Sequence, residues 1–304
     1  MRNAIAQCVE QKAAQNSEFM LITGDAGLGV WDNYQKDFSA QYVNPGINEA
    51  LCVGMAAGLA LCGKKVVYYN IAPFVIMRPY EQVRNDICYQ ELPVILVGTG
   101  SGLTYMPSGM THYAIEDIAL ALSLPNLNIF SPSDSIQARA CFEYAYNDNK
   151  PSYIRIPKAG EPNLIESSAS LDITAPQILY QSNNHHIALI THSSIAALVL
   201  EVGKKQDISV ISCPFINAPN ERIIDLMAQY ERVIVIEEHY KYGGLGTYLM
   251  QKSKRMIEIL ALENAFIHLI GNQDYGREQF GLSIQGIEQF IACPPPCKSY
   301  KDYL

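Results

Sequence analysis

A single carboxylate, Glu49, stands at the end of Asn44-Pro45-Gly46-Ile47-Asn48-Glu49 and opens a segment with no further charge before Lys64. Small residues at Gly54, Ala56, Ala57, Gly58 and Ala60 let that segment pack closely as a helix. Taking a carboxylate out of water at such a place is costly unless it pairs or stays protonated, a condition suited to handling protons. An acid in a first helical turn also complements the macrodipole by about 0.3–1 kcal/mol, so Glu49 reads both ways. Thr111-His112-Tyr113 closes a glycine-rich loop running from Gly98 to Gly109. A histidine there is either a substrate-facing group or a capping or core residue. Asn70-Ile71-Ala72-Pro73-Phe74 ends an apolar run and brings a ring to the same edge, as core or as part of a site. Arg155-Ile156-Pro157-Lys158 places two cations after another such run, either a phosphate clamp or a solvated domain edge. Gly24-Asp25-Ala26-Gly27-Leu28-Gly29 has neither the dinucleotide glycine spacing nor the phosphate-loop Lys-Ser/Thr. It reads as a tight strand-to-helix turn that can still line a cleft.

The elements that position these residues are short Val/Ile/Leu-rich runs alternating with helical patterns. Strands are expected at Phe19–Thr23, Val66–Asn70, Pro93–Gly98, Leu127–Phe130 and Tyr153–Ile156, with helices at Glu49–Leu61, Pro79–Tyr89, Ile115–Leu122 and Ser135–Asn147. Continuous apolar strands flanked by helices mean burial on both faces and a mostly parallel sheet. A polar, irregular stretch from Lys158 to Asn184 reads as an interdomain linker across a surface. A second α/β set follows, with strands at Ile187–Thr191, Ile208–Ser212, Val233–Glu237 and Ala265–Leu269. Its helices are expected at Ser194–Lys204, at Asn220–Tyr230 and after Gly243-Gly244-Leu245-Gly246. The expected fold class is α/β with two domains, each a mostly parallel sheet flanked by helices. The boundaries are 1–165 and 185–304, with 166–184 between them.

The 304 residues, 49% apolar and 17% charged, are enough for two cored domains. A formal net charge of −8 without basic runs argues against a nucleic-acid or anionic-membrane surface. Glu10, Gln11 and Lys12 interrupt any signal-peptide core, and no window has the composition of a spanning helix. Eight cysteines, mostly single in apolar contexts, suit reduced thiols and a cytoplasmic location. Cys293-Pro294-Pro295-Pro296-Cys297 is too stiff and isolated for a zinc half-site, so no metal ligand is expected in this chain.

Taken in order, these pieces resemble the transketolase family of thiamine diphosphate enzymes, in the half that carries the pyrimidine-binding and C-terminal domains. Gly46-Ile47-Asn48-Glu49 with its small-residue helix is similar to the family's Gly-Ile-x-Glu element, and Arg84-Asn85 to its Arg-Asn pair. Thr111-His112-Tyr113-Ala114-Ile115-Glu116-Asp117 resembles the family's Thr-His-Gln-Pro-Ile-Glu-Asp segment. Leu124-Pro125-Asn126-Leu127 and Pro132-Ser133-Asp134 are similar to its downstream Ile-Pro-Asn and Pro-Ala-Asp. Glu237-Glu238 followed by Gly243-Gly244-Leu245-Gly246 resembles the Glu-Glu…Gly-Gly motif of the second domain. The resemblance covers nearly the whole chain. It implies that Glu49 hydrogen-bonds N1′ of the aminopyrimidine and stabilises its imino tautomer, that Phe74 stacks on that ring, and that Ile47 lines the cofactor. It implies that His112 meets oxygens at the reacting carbon, and it puts Lys158 near a phosphate-binding arginine of deoxyxylulose-phosphate synthase, with Arg155 and Ser108 as further substrate-side positions.

Full-length relatives hold the diphosphate and a divalent metal through Gly-Asp-Gly and a downstream Asn in a separate N-terminal domain. Here Gly24-Asp25-Ala26 is the nearest approach, and no Asn-Asn follows it at the needed spacing. The resemblance therefore implies one subunit of a split enzyme. Its expected partner is a subunit bearing Gly-Asp-Gly…Asn and holding Mg2+ (or Ca2+ or Mn2+), the two forming a heterotetramer with composite sites. Ser108 stands where family members often have Asp four residues before the loop histidine, and no histidine stands near Gly100. These departures point to a two-carbon ketol transfer on an unusual sugar, or to a deoxyxylulose-phosphate-synthase-like condensation. A 2-oxoacid dehydrogenase E1 β-type subunit and a non-catalytic scaffold or regulatory subunit are the competing readings.

Overall fold

The computed structural model describes residues 1–158, 160–166 and 171–292. Cys293-Pro294-Pro295-Pro296-Cys297 and the Ser167–Ser170 patch lie outside them. The first sheet has strands β1 (Phe19–Thr23), β2 (Tyr42–Val43), β3 (Lys65–Ile71), β4 (Val94–Thr99), β5 (Asn128–Phe130) and β6 (Ser152–Ile156). Their spatial order is β2-β1-β3-β4-β6-β5, and every pairing is parallel. Val66, Val67, Tyr68, Tyr69 and Val94 to Val97 are buried because helices cover both faces. Ile5 and Val9 of the Arg2–Gln15 helix and Phe142 of the Ser135–Asp148 helix fill one side. Cys52, Val53, Ala56, Ala57 and Ala60 of the Glu49–Leu61 helix fill the other.

The second sheet comprises β7 (Gln177–Tyr180), β8 (Ile187–Thr191), β9 (Ser209–Ser212), β10 (Arg232–Tyr240) and β11 (Glu258–Leu262). Its order is β11-β10-β8-β9-β7, parallel except for β7, which runs antiparallel to β9 at the edge. The expected two-sheet α/β fold is therefore present, with three local corrections. Gln177–Tyr180, assigned to the linker from its polar surroundings, is an edge strand of the second sheet. Ala265–Leu269, expected as a strand, is irregular, and the strand beside β10 is Glu258–Leu262. The Ala265 carbonyl accepts from Tyr240 Oη (2.9 Å) and that of Ile267 from Tyr113 Oη (3.4 Å), so side chains replace a ladder there. Meanwhile Arg232 grips Glu258 through Nε–Oε1 (2.6 Å) and Nη2–Oε2 (2.7 Å), pinning β11 to β10. The helix expected over Pro79–Tyr89 has only one α-type stretch, Tyr80–Gln82, set between wide π-helical turns at Pro73–Met77 and Val83–Cys88. Such turns recur at functional sites.

Candidate functional site

Four parallel strand ends build one edge. β1 runs into the Gly24–Gly29 turn, where Asn44 Oδ1 accepts from Asp25 N (3.2 Å) and Gly46 N (3.0 Å). That bond joins the turn to the segment leading into Glu49. Asn48 then caps the helix, its Oδ1 accepting from Leu51 N (3.2 Å), which fixes Glu49 in the first turn. The Glu49 carboxylate is almost covered, at 10% side-chain exposure. Its Oε1 accepts from Arg78 Nη1 (2.7 Å). Its Oε2 accepts no hydrogen bond from the described residues.

β3 delivers Phe74. Asn70 Nδ2 donates to Tyr68 Oη (3.0 Å) and to Gly24 O (3.4 Å), and Tyr68 Oη donates to Phe74 O (3.3 Å). A Cβ on Gly24 would lie 2.3 Å from Asn70 Nδ2, so only glycine admits this brace. Burial pushes the Tyr68 phenol far up, keeping it neutral. The π turn after Pro73 sets Arg78 over Phe74, its guanidinium carbon 4.0 Å from the ring centre. One cation thus sits over Phe74 and bonds Glu49 at once.

β4 leads into the His112 loop. The loop's neck is a backbone clasp, Gly102 N to Ala114 O (2.8 Å) and Ala114 N to Gly102 O (3.0 Å). The His112 ring stands edge-to-face with Phe74 at 5.3 Å and with Tyr105 at 6.5 Å. Its Nδ1 pairs with Thr111 Oγ1 (2.8 Å), which leaves Nε2 without a partner among the described residues. Exposed Lys158, beyond β6, reaches the Tyr105 ring at 5.6 Å. Arg2 acts on the same corner. Burial pushes the Tyr69 and Tyr105 phenols up while the Arg2 guanidinium pulls the other way, and Arg2 Nε is buried without a partner.

Glu49, Phe74 and His112 therefore come together, with Ile47 (75% exposed) on the rim and Ser108 exposed on a short turn of the loop. Arg155 does not join them, which corrects its reading as a substrate-side cation. Tyr153 and Arg155 share one face of β6, and both turn inward onto Asp117 Oδ2 at 2.7 Å. Arg155 is fully buried, and its remaining nitrogens donate to Ser131 Oγ (3.3 Å) and Ala114 O (3.1 Å). It braces the loop's exit from within. Arg78, Tyr105 and Arg2 escaped the sequence reading. For Arg78 the signal was there, a cation four residues after Phe74 on a helical pattern; for the other two there was none. Among the described residues no group of three or more His, Cys, Asp or Glu side chains could hold a metal.

The second unit explains its own motif. Glu237 receives Leu245 N (2.8 Å) and Gly246 N (3.0 Å) at the start of the Leu245–Ser253 helix. A Cβ on Gly244 would stand 2.5 Å from Glu237 Oε2. Burial pushes this carboxyl up, but His192, His239 and the Gly246 amide outweigh it and hold it below the usual range.

Comparison with known proteins gives a consistent picture. Residues 1–161 match the family described as "Transketolase, pyrimidine binding domain" and residues 177–273 match "Transketolase, C-terminal domain". The chain is 35% identical over 222 residues, 71% of each chain, to an apulose-4-phosphate transketolase subunit of Actinobacillus succinogenes. It is 27% identical to the subunit of the same name from Phocaeicola vulgatus, over 94% of each chain. It is 29% identical to "1-deoxy-D-xylulose-5-phosphate synthase" of Vibrio atlanticus, covering 92% of this chain and 46% of that one. A solved "Split gene transketolase, inactive beta4 tetramer" shares the fold at TM-score 0.83 and 24% identity, over 96% of each chain. The transketolase of Campylobacter jejuni does so at TM-score 0.83 and 17% identity, over 96% of this chain and 46% of that one. This chain, with its pyrimidine-binding and C-terminal domains, belongs to the transketolase family, whose members depend on thiamine diphosphate.

Proposed function

We propose that this chain is one subunit of a split transketolase-type enzyme, moving a two-carbon ketol unit between sugar or sugar-phosphate substrates. The observation that carries the reading is the Glu49–Arg78–Phe74 arrangement. A planar hydrogen-bond donor sits over the Phe74 ring and reaches Glu49 Oε1, so ring and carboxylate are spaced for an aminopyrimidine to stack and bond. When bound, thiamine diphosphate supplies the nucleophilic carbon that carries the two-carbon unit. Phe74 and Ile47 hold and desolvate the flat ring. Glu49 holds the proton shared with a ring nitrogen, at the helix mouth where little water reaches it. His112, its Nδ1 fixed by Thr111, offers Nε2 to substrate oxygens. Lys158 and Arg2, both near Tyr105 beside His112, and Ser108 of the same loop suit the substrate's hydroxyl or phosphate end, whereas Arg155 works behind the loop.

Leu28 (92% exposed), Ile47 and Met110 stand bare on the turn, the helix approach and the loop that carry the site. On this reading a separate subunit covers it, bringing the diphosphate contacts and Mg2+ or a similar divalent ion, in a heterotetramer within the cytoplasm. Domain limits near 1–165 and 177–304 belong to the same proposal, the second moved forward from 185 because β7 pairs with β9. The names of two relatives make apulose 4-phosphate the first ketose to test. The experiment is co-expression with a candidate diphosphate-binding subunit, then assay on a panel of ketoses, on pyruvate and on lipoyl acceptors. Ketose turnover by the pair, and none by either chain alone, is expected. Tight cofactor and magnesium binding with turnover by this chain alone would refute the split reading. Turnover of pyruvate with no ketose accepted would replace ketol transfer by the synthase-like or dehydrogenase-like alternative.

A further inference from the structure

Among the described residues no hydrogen bond, ion pair or ring contact joins a second-unit side chain to Glu49, Phe74 or His112, yet the His112 loop is built into that unit. Leu103, Met106, Tyr113 and Ile115 of the loop are fully or nearly buried in one core with Leu189, Val199, Ile236 and Leu262 of the second unit. Both sides of the loop's neck are also held by polar contacts. On the entry side, Glu238 Oε2 accepts from Leu103 N (2.9 Å). Gly102, at φ +61°, makes the approach possible, because a Cβ there would lie 2.3 Å from Glu238 Oε2. On the exit side, Tyr240 N donates to Ile115 O (2.9 Å) and Arg155 Nη2 to Ala114 O (3.1 Å). Glu238 is itself fixed. Its Oε1 accepts from Arg277 Nε, its Oε2 accepts from Gln273 Nε2 (2.9 Å), and Arg277 Nη2 continues to Ser194 Oγ (3.1 Å). A nearly buried carboxylate with a charged partner and a backbone donor has one favoured position.

We propose that Glu238, locked by Arg277 and Gln273, is a positioning residue of the second unit that sets where the loop presents His112. The role of the second unit is then to complete the foundation of a substrate-facing loop that the first sheet holds only at its ends, through Ile156 O and Arg155. The inference rests on reading His112 as that substrate-facing group. Loops are drawn from the low-stability end of a structure. A loop whose neck is clasped and whose apolar side is sunk in a neighbour's core keeps one geometry through repeated turnover.

The test reads the loop directly. Amide hydrogen exchange of Leu103–Tyr113 is followed in the isolated chain, with strands β8 and β10 as the reference. Glu238→Gln keeps an acceptor for Leu103 N but loses the charge opposite Arg277, and loop exchange is expected to rise about tenfold with the strands unchanged. Glu238→Ala raises it further; if that variant fails to fold, Glu238→Gln and Met106→Ala, which withdraws the loop's buried plug, carry the test. In the reconstituted pair, Glu238→Gln is expected to lower kcat or raise the ketose KM several-fold while the thiamine diphosphate Kd stays fixed, since Glu49 and Phe74 stand on other elements. Loop protection unchanged in the variants, or lost equally across β8 and β10, overturns the proposal. So does a loosened loop with unaltered kcat and KM. A wild-type pair inactive on every ketose would instead sink the functional reading, and the exchange result would still decide whether Glu238 holds the loop.

Discussion

Replacing Arg155 by methionine isolates the electrostatic part of the loop's foundation. Methionine occupies much of the volume of the aliphatic stem and packs adaptably, so the main loss is the cation. Asp117 is then left fully buried with Tyr153 Oη (2.7 Å) as its remaining partner, and its Oδ1 has none even in the native protein. Removing one member of a buried pair costs about 3–5 kcal/mol. Ser131 Oγ and Ala114 O also lose donors, adding about 1–2 kcal/mol, for a total of about 4–7 against the 5–15 kcal/mol typical of a domain. Adding Asp117→Asn removes the stranded charge, so the double variant is expected to recover half or more of that loss. Urea unfolding followed by circular dichroism gives the four corners of the cycle. A single-variant cost under about 1 kcal/mol with no coupling would refute the brace. So would a variant of native stability whose only defect is a raised KM for phosphorylated substrate, the signature of a phosphate clamp.

Further expectations concern the site and the interior between the units. Glu49→Gln keeps the fold but lowers ketose turnover by the reconstituted pair by about 10²–10⁴; full activity would favour a scaffold role. Ile47→Asp, a charge placed on the exposed rim, weakens association with the diphosphate-binding subunit by about thirtyfold if Ile47 is an anchor, about 2 kcal/mol, as read by titration calorimetry, and leaves the unfolding midpoint unchanged. Stability falls in acid for two reasons of the same sign. Burial lowers the His239 pKa below 6.5, so below pH about 6.5 the unfolded chain binds the proton and the folded one does not. Stability is lost as pH drops from there toward the folded pKa, by up to about 1.4 kcal/mol per pH unit. Glu237, held below 4.5, adds a loss that begins near its unfolded pKa and is complete below its folded one. His239→Gln is expected to flatten the first window in thermal melts between pH 7 and 5; an unchanged slope would remove His239 from the account.

Much of this was legible because it is local. Continuous apolar runs such as Val66–Tyr69 and Val94–Val97 announce strands buried on both faces, and the capped, nearly uncharged Glu49–Leu61 helix declares its odd carboxylate. What escaped depends on distant pairing. Arg155 and Lys158 look alike in sequence, but Asp117, many residues away, takes one inward and leaves the other to solvent. Met256–Leu262 and Ala265–Ile270 are both apolar; Arg232 on the neighbouring strand decides which of them pairs. The Arg78 position follows from a π turn that shifts side chains around the helix axis, and no simple periodicity reports it.

The division of labour between the two units follows from the chemistry asked of Glu49. A carboxylate that shares a proton with a ring nitrogen works best where water is scarce, and this chain supplies the walls of such a place without its roof. The helix mouth and Phe74 are fixed from below by Asn48, Tyr68 and Asn70. His112 is fixed from the side by the second unit through Glu238 and the buried Met106. On the segments that carry them Leu28, Ile47 and Met110 are apolar and bare, and Arg78, half exposed, is the only charge of the described residues paired with Glu49. An ion pair open to water on one side is worth about 0–1 kcal/mol, little enough for a stacking ring and a covering surface to displace. On the proposed reading, the partner's arrival desolvates Glu49 and covers the apolar rim together, so proton handling begins only in the assembled enzyme.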